Sequence, residues 1–207
     1  MYRGIKTFSK YEWGMIMLNF SMPFNLQQWI DEHREQLKPP VCNKQIFEHD
    51  DYIVMVVGGP NNRTDFHYNE TPELFYQIEG EMVLRIVKNA QGESLDISEI
   101  DKASTNSKTI EFLDIPIKAG EIFLLPGKVL HSPQRFENSV GLVVEQQRAL
   151  GQQDALYWFC QQCKAPLYNE QFCLSNIETD LPKVFNNFYS TTDNCQCCHC
   201  GYIETKS

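Results

Sequence analysis

Two histidines in this chain each stand four residues from an arginine: Arg63 precedes His67, and Arg135 follows His131. Glu73 comes six residues after His67. Neutral imidazole and carboxylate are ligands for divalent transition metals, whereas the planar guanidinium fork of arginine matches a carboxylate. A histidine read alone is more often an ordinary core or surface residue. Two of them, each tied to an anion-binding group, point to chemistry on a small anionic molecule. Glu145, in "GLVVEQQR", places another carboxylate within an apolar run. Leu142 and Val144 share one face there and Val143 and Glu145 the other, so alternation leaves open which face points inward.

A second set of ligands lies near the C-terminus, "CQQC" at 160–163 and "CCHC" at 197–200. Four thiolates from two such knuckles suit a tetrahedral iron or zinc site of the kind found in rubredoxins and zinc ribbons. Cys195 and Cys198 form an overlapping pair, so spacing alone leaves the register open. Gly201 favours Cys160, Cys163, Cys197 and Cys200, because glycine eases a turn that aims backbone N–H groups at sulfur. A closed four-thiolate shell is structural. Cys42 and Cys173 read as free small hydrophobes, and His199 as solvent-facing.

Strands must position these groups. "YIVMVV", "LFYQI", "EMVLRIV", "IEFLDIPI", "EIFLLP" and "VGLVVEQ" are short β-branched and aromatic runs separated by Gly- and Pro-containing turns, the pattern of an all-β sandwich or barrel. "FYQIEGEMVLRI" predicts a hairpin turning at Glu79-Gly80. Residues 88–109 are polar and rich in Ser, Thr and Asn, and read as a long, mobile surface loop inserted between strands. Asn25 caps a helix through Leu26, Trp29, Ile30, His33 and Leu37 that Pro39-Pro40 stops, with His33 at its polar edge. Leu181, Val184, Phe185 and Phe188 predict a second helix, capped at Thr179 or Asp180 before Pro182. The domains expected are an N-terminal extension, 1–24; a barrel, 25–150; and a cysteine-bearing tail, 151–207, joined through "RALGQQD".

The 207 residues carry a net charge of −9 and no run of Lys or Arg, which argues against a nucleic-acid partner. No stretch approaches the roughly 18 to 20 apolar residues of a membrane helix. "GMIMLNF" is short, interrupted by Asn19 and followed by no small-residue cleavage site, so it reads as extension rather than secretion signal. Six of eight cysteines in close pairs within the last quarter point to metal rather than disulfides, and to a reducing, cytoplasmic setting.

His67-Tyr-Asn69, Glu73 and Gly80 resemble the first conserved motif of the cupin superfamily, with Asn69 where many members place a second histidine. "GEIFLLPGKVLH", residues 120–131, resembles the second motif, with Gly127 one place early. The resemblance implies a jelly-roll barrel, with a few peripheral helices, that brings His67, Glu73 and His131 together. Such a triad leaves about three positions of an octahedral metal open, and a ferrous ion suits it better than redox-inert zinc.

More specifically, "NNRTDFHYNETPELFYQIEGEMVLRIV", "LLPGKVLHSPQRF" and "VGLVVEQQR" are similar to the 3-hydroxyanthranilate 3,4-dioxygenase family, of the single-cupin type with a rubredoxin-like metal tail. The similarity runs from about Asn25 to Gly201. It implies Fe(II) on His67, Glu73 and His131, dioxygen beside Arg63, the substrate carboxylate on Arg135 and its amino group on Glu145. Glu73 then borders the substrate as well as the metal. It further implies Fe or Zn on the four cysteines, a homodimer, and ring opening of 3-hydroxyanthranilate by O2 on the route to quinolinate and NAD. Another cupin dioxygenase, acting on a small thiol or enediol, is the alternative among enzymes. Outside enzymes it is a non-catalytic metal-binding cupin.

Overall fold

A computed structural model of the protein describes residues 22–39, 42–47, 51–95, 97, 98, 100 and 110–205. They belong to two compact units that divide between Arg34 and Glu35. In the first, α1 (Leu26–His33) starts where expected, the Asn25 side chain accepting the Gln28 N–H at 2.9 Å. It ends sooner than Leu37, because Arg34–Leu37 tightens into a 3-10 turn. Most of the expected extension, 1–21, lies outside the described residues.

Among the described residues the second unit holds eleven strands: β1 (Asn43–Gln45), β2 (Tyr52–Gly58), β3 (Asp65–Tyr68), β4 (Glu73–Glu79), β5 (Glu81–Lys88), β6 (Glu111–Lys118), β7 (Ile122–Leu125), β8 (His131–Arg135), β9 (Val140–Gln146), β10 (Asp154–Phe159) and β11 (Pro166–Phe172). They form two antiparallel sheets, β1-β2-β9-β4-β7 and β11-β10-β3-β8-β5-β6, whose inner faces pack as a jelly roll. Ile53, Met55, Val57, Phe75 and Val143 from the first meet Met82, Leu84, Leu156 and Trp158 from the second. Each fully buried side chain of this size contributes about 1.5–3 kcal/mol.

The hairpin expected at Glu79-Gly80 is not formed. β4 pairs with β7 and β9 in one sheet, while β5 pairs with β6 and β8 in the other, so the chain crosses between sheets at Gly80. Gly80 has φ +64, and a Cβ there would sit 3.1 Å from the Ser139 backbone, so glycine is what permits the sharp crossover.

Several strands escaped the sequence reading. β10 lies within the six-stranded sheet beside β3 and is buried along its whole length, with Leu156 and Trp158 facing the main core. Ala155, Tyr157 and Phe159 meet a second cluster with Phe66 and Leu130 on the other face. The division expected at 150/151 therefore falls between β9 and β10, two strands of the same barrel. The second helix, α2 (Ile177–Phe188), starts ahead of the cap expected at Thr179 or Asp180, with both residues inside it, and stacks Phe188 on Trp158 at 4.3 Å. Asp180 accepts the backbone N–H groups of Ser175 and Asn176 just ahead of the helix.

The segment 88–109 is not wholly solvent-facing. Leu95 and Ile100 are buried with Ile110 in the second cluster, which anchors the insertion to the sheet. Residues 96, 99 and 101–109, and with them the mobility expected of the loop, lie outside the described residues. Among the described residues no helix is long and apolar enough to cross a membrane.

Candidate metal centre and cleft

Strand register assembles the site. β3 and β8 set His67 opposite His131, and β4 and β9 set Glu73 opposite Glu145. The first pair belongs to the six-stranded sheet and the second to the five-stranded sheet, so the ligand set spans the barrel interior. Glu73 Oε1 lies 3.2 Å from His131 Nε2 and 3.7 Å from His67 Nδ1, and all three residues are buried. Their ligand atoms fall within 4.8 Å of one another.

The outward nitrogens of both rings meet acceptors. His67 Nε2 donates to Asp154 Oδ2 at 2.7 Å, and His131 Nδ1 donates to the Val129 carbonyl at 2.9 Å. Acceptors on those sides assign the N–H there and turn the lone pairs of His67 Nδ1 and His131 Nε2 toward Glu73. Two lone pairs and a carboxylate oxygen converging on one point are a donor set that fits a divalent metal. Burial would push the Glu73 carboxyl up, but the positive charges of His131 and His67 when protonated, with that of Arg148, outweigh it and hold Glu73 at about 2. Asn69, fully buried, donates its amide to Glu73 Oε1 at 2.7 Å and so orients that carboxylate.

The triad opens into a cleft lined by Arg63, Arg135 and Glu145 together with Phe75, Pro133 and Val143 of the barrel and Ile177 and Leu181 of α2. Arg135 is 2% exposed. Its guanidinium donates to the neutral Gln77 amide at 3.3 Å and meets no carboxylate among the described residues. Burial, with Arg63 adding to it, pulls the Arg135 guanidinium down to about 10. A Cβ on Gly141 would come within 2.6 Å of Arg135 Nη1, so the guanidinium lies directly on the β9 backbone.

Arg63 instead has a resident partner, Asp65, and lies 5.7 Å over the Phe185 ring. Pro133 has no N–H to offer a ladder, and the Gln134 amide exchanges two hydrogen bonds with the Arg63 backbone nearby, at 3.2 and 2.8 Å. Glu145 points inward, which settles the face that alternation left open, and forms an ion pair with Arg148 at 2.7 Å. Burial and the facing Glu73 push Glu145 up to about 8, although Arg148 pulls it back.

Sequence reasoning missed Arg148 and Asp154, which sat in the segment taken as a connection. Asp154 is fully buried and is held at about 2, since its bonds to Arg148 and His67 outweigh burial. No periodicity marks a charge that lies at a strand end.

At the far end of β10, Cys160 and Cys163 meet Cys197 and Cys200. Sγ atoms of Cys160 and Cys200, and of Cys163 and Cys197, lie 3.5 Å apart. All four sulfurs fall within 4.8 Å of one another. This is the expected register: Cys195 ends α3 (Thr192–Cys195) and donates to the Phe188 carbonyl, and Cys198 is exposed. Gly201 has φ +76, as a knuckle turn demands. Four sulfurs at such distances fit a tetrahedral metal, and no disulfide joins them.

The model of the family "3-hydroxyanthranilic acid dioxygenase" matches residues 17–189. A 3-hydroxyanthranilate 3,4-dioxygenase of Xanthomonas euvesicatoria pv. vesicatoria is 49% identical over 182 residues, 88% of this chain and 92% of that protein. One of Ruegeria pomeroyi is 44% identical over 87% of this chain and 90% of its own length. Among solved structures, a cupin-2 domain protein of Shewanella frigidimarina aligns with TM-score 0.37 and 16% identity, covering 60% of this chain and 100% of that one. On the family match and these relatives, the chain belongs to the 3-hydroxyanthranilic acid dioxygenase family.

Proposed function

We propose that this protein opens the ring of 3-hydroxyanthranilate with O2, incorporating both oxygen atoms to give 2-amino-3-carboxymuconate semialdehyde. That product closes spontaneously to quinolinate, the precursor of the NAD ring. Beyond family membership, one observation carries the reading. Arg135 is a buried cation without a carboxylate partner among the described residues, in the same cleft as a convergent His-His-Glu set. A desolvated guanidinium is costly unless an anion joins it, and the carboxylate of an aminobenzoate supplies one.

In this reading His67, Glu73 and His131 hold Fe(II), whose redox chemistry allows dioxygen to react with the aromatic ring. Arg135 binds the substrate carboxylate and fixes the ring's direction in the cleft. Glu145 accepts a hydrogen bond from the amino group, so the adjacent hydroxyl and amine face the metal ligands. Arg63, steadied by Asp65 and Phe185, borders the dioxygen position. Phe75, Val143, Ile177 and Leu181 exclude water around the ring. The deciding assay loads the protein anaerobically with ferrous iron, adds 3-hydroxyanthranilate, admits O2 and follows semialdehyde absorbance. One O2 consumed per substrate is expected, and no uptake by fully loaded protein overturns the reading.

We assign a second metal, iron or zinc, to Cys160, Cys163, Cys197 and Cys200, beyond the end of β10. Cys160→Ser and Cys197→Ser are expected to lose one metal equivalent per chain by elemental analysis while the barrel still loads iron. Retention of both equivalents in both variants removes the assignment. We further infer a cytoplasmic homodimer. Tyr76, Ile122 and Leu124, exposed on β4 and the edge strand β7, support self-association. Light scattering at micromolar concentration is expected to give twice the 24.1 kDa chain mass, and the single-chain mass would exclude the dimer.

A further inference from the structure

The groups the reaction needs are divided between two sheets, and one buried cation connects them. Glu145 is the next-to-last residue of β9 in the five-stranded sheet, whereas Asp154 begins β10 in the six-stranded sheet, beside β3, which carries His67. Between them the chain turns at 149–152, where Ala149 N–H meets the Gln152 side chain at 2.7 Å and Gly151 takes φ +88. That turn brings Arg148 back onto both carboxylates. Its Nε reaches Asp154 Oδ1 at 2.6 Å and its Nη2 reaches Asp154 Oδ2 at 2.7 Å, a bidentate fork. The same Nη2 lies 2.7 Å from Glu145 Oε2. Asp154 Oδ2 then accepts from His67 Nε2, also at 2.7 Å.

We propose that Arg148 and Asp154 are positioning residues for the reaction, which fix the metal-facing nitrogen of His67 and the cleft-facing carboxylate of Glu145 through one shared guanidinium. The Glu145 arm rests on the function proposed above; the His67 arm rests only on the donor geometry. A carboxylate on the remote nitrogen of a metal-binding imidazole sets its tautomer and ring angle, and losing such a partner typically costs about 10- to 100-fold in metal affinity. Because Arg148 also forms an ion pair with Glu145, metal affinity and ligand affinity are expected to change together when it is replaced. A lysine ammonium cannot reproduce the bidentate pair with Asp154 while also reaching Glu145 in the same geometry, so lysine is a poor substitute.

The test titrates Co(II), read by its d–d absorption, into protein whose cysteine site is already filled and whose barrel is metal-free. Binding of 3-hydroxyanthranilate to the Co(II) form is then measured without O2. Asp154→Leu is expected to weaken Co(II) about 10- to 100-fold. Asp154→Asn, whose Oδ1 still accepts from Nε2, should retain most of the affinity. Arg148→Gln is expected to weaken both Co(II) and 3-hydroxyanthranilate, whereas Glu145→Gln should weaken 3-hydroxyanthranilate and leave Co(II) affinity in place. Folding is checked by thermal melting. If Arg148→Gln does not fold, Arg148→Lys decides in its stead, with the same pair of losses expected. Wild-type Co(II) affinity and spectrum in folded Asp154→Leu and in the folded Arg148 variant overturn the proposal. Wild-type protein that binds Co(II) but not 3-hydroxyanthranilate overturns the substrate and the Glu145 arm, while Co(II) loss in Asp154→Leu still supports the His67 arm.

Discussion

His67→Ala protein is expected to keep its fold and its cysteine-bound metal, to lose the barrel metal, and to turn over at least about 10³-fold more slowly. The magnitude follows from the several kcal/mol that a bound metal supplies to a developing charge, each 1.4 kcal/mol being about tenfold in rate. The fold should survive because Asp154 retains both bonds from Arg148 when the imidazole is removed. The remaining ligands, Glu73 and His131, make one carboxylate and one imidazole, too few to hold a divalent ion against water. Iron content per chain and O2 uptake check this together. A His67→Ala variant that keeps its full iron and activity would remove His67 from the ligand set.

Replacing Arg135 with methionine should separate function from stability. Among the described residues this buried cation is bonded only to a neutral amide, which is unfavourable for folding, so Arg135→Met is expected to melt at the same temperature or higher. In the binding mode proposed above, the substrate carboxylate meanwhile loses its partner in a desolvated pocket. Such truncations cost about 2–5 kcal/mol, so KM for 3-hydroxyanthranilate should rise roughly 10²-fold, with kcat changed less. If steady-state kinetics leave both KM and kcat untouched, the carboxylate is bound elsewhere. A fall in kcat alone would place Arg135 in the reaction step rather than in binding.

Much of the centre was legible because cupin-like motifs are local. His67 and Glu73 belong to one strand-turn-strand stretch, His131 and Arg135 to one strand, and Cys160 and Cys163, like Cys197 and Cys200, to single knuckles. Residue type and short spacing were enough to nominate them. Gly201, which favoured one cysteine register, adopts φ +76, and the four sulfurs of that register lie within 4.8 Å of one another.

What escaped depends on contacts between distant segments. The apparent hairpin at Gly80 is a crossover, because a glycine turn between two apolar runs reads the same whether the strands pair with each other or with different sheets. β10 was hidden in a presumed tail because a strand buried on both faces has no alternation to display. Ile177 and Leu181 reach the cleft only because α2 packs back on the barrel.

The sequence by itself determined which side chains can bind metal and which can bind an anion, since these are properties of residue type and near spacing. Only the tertiary structure decided that Glu145 faces inward, that Arg135 is left without a carboxylate among the described residues, and that Arg148 and Asp154 join two sheets at His67. Burial and partnership of charge are set by what the rest of the chain brings to a position, and no local pattern records that.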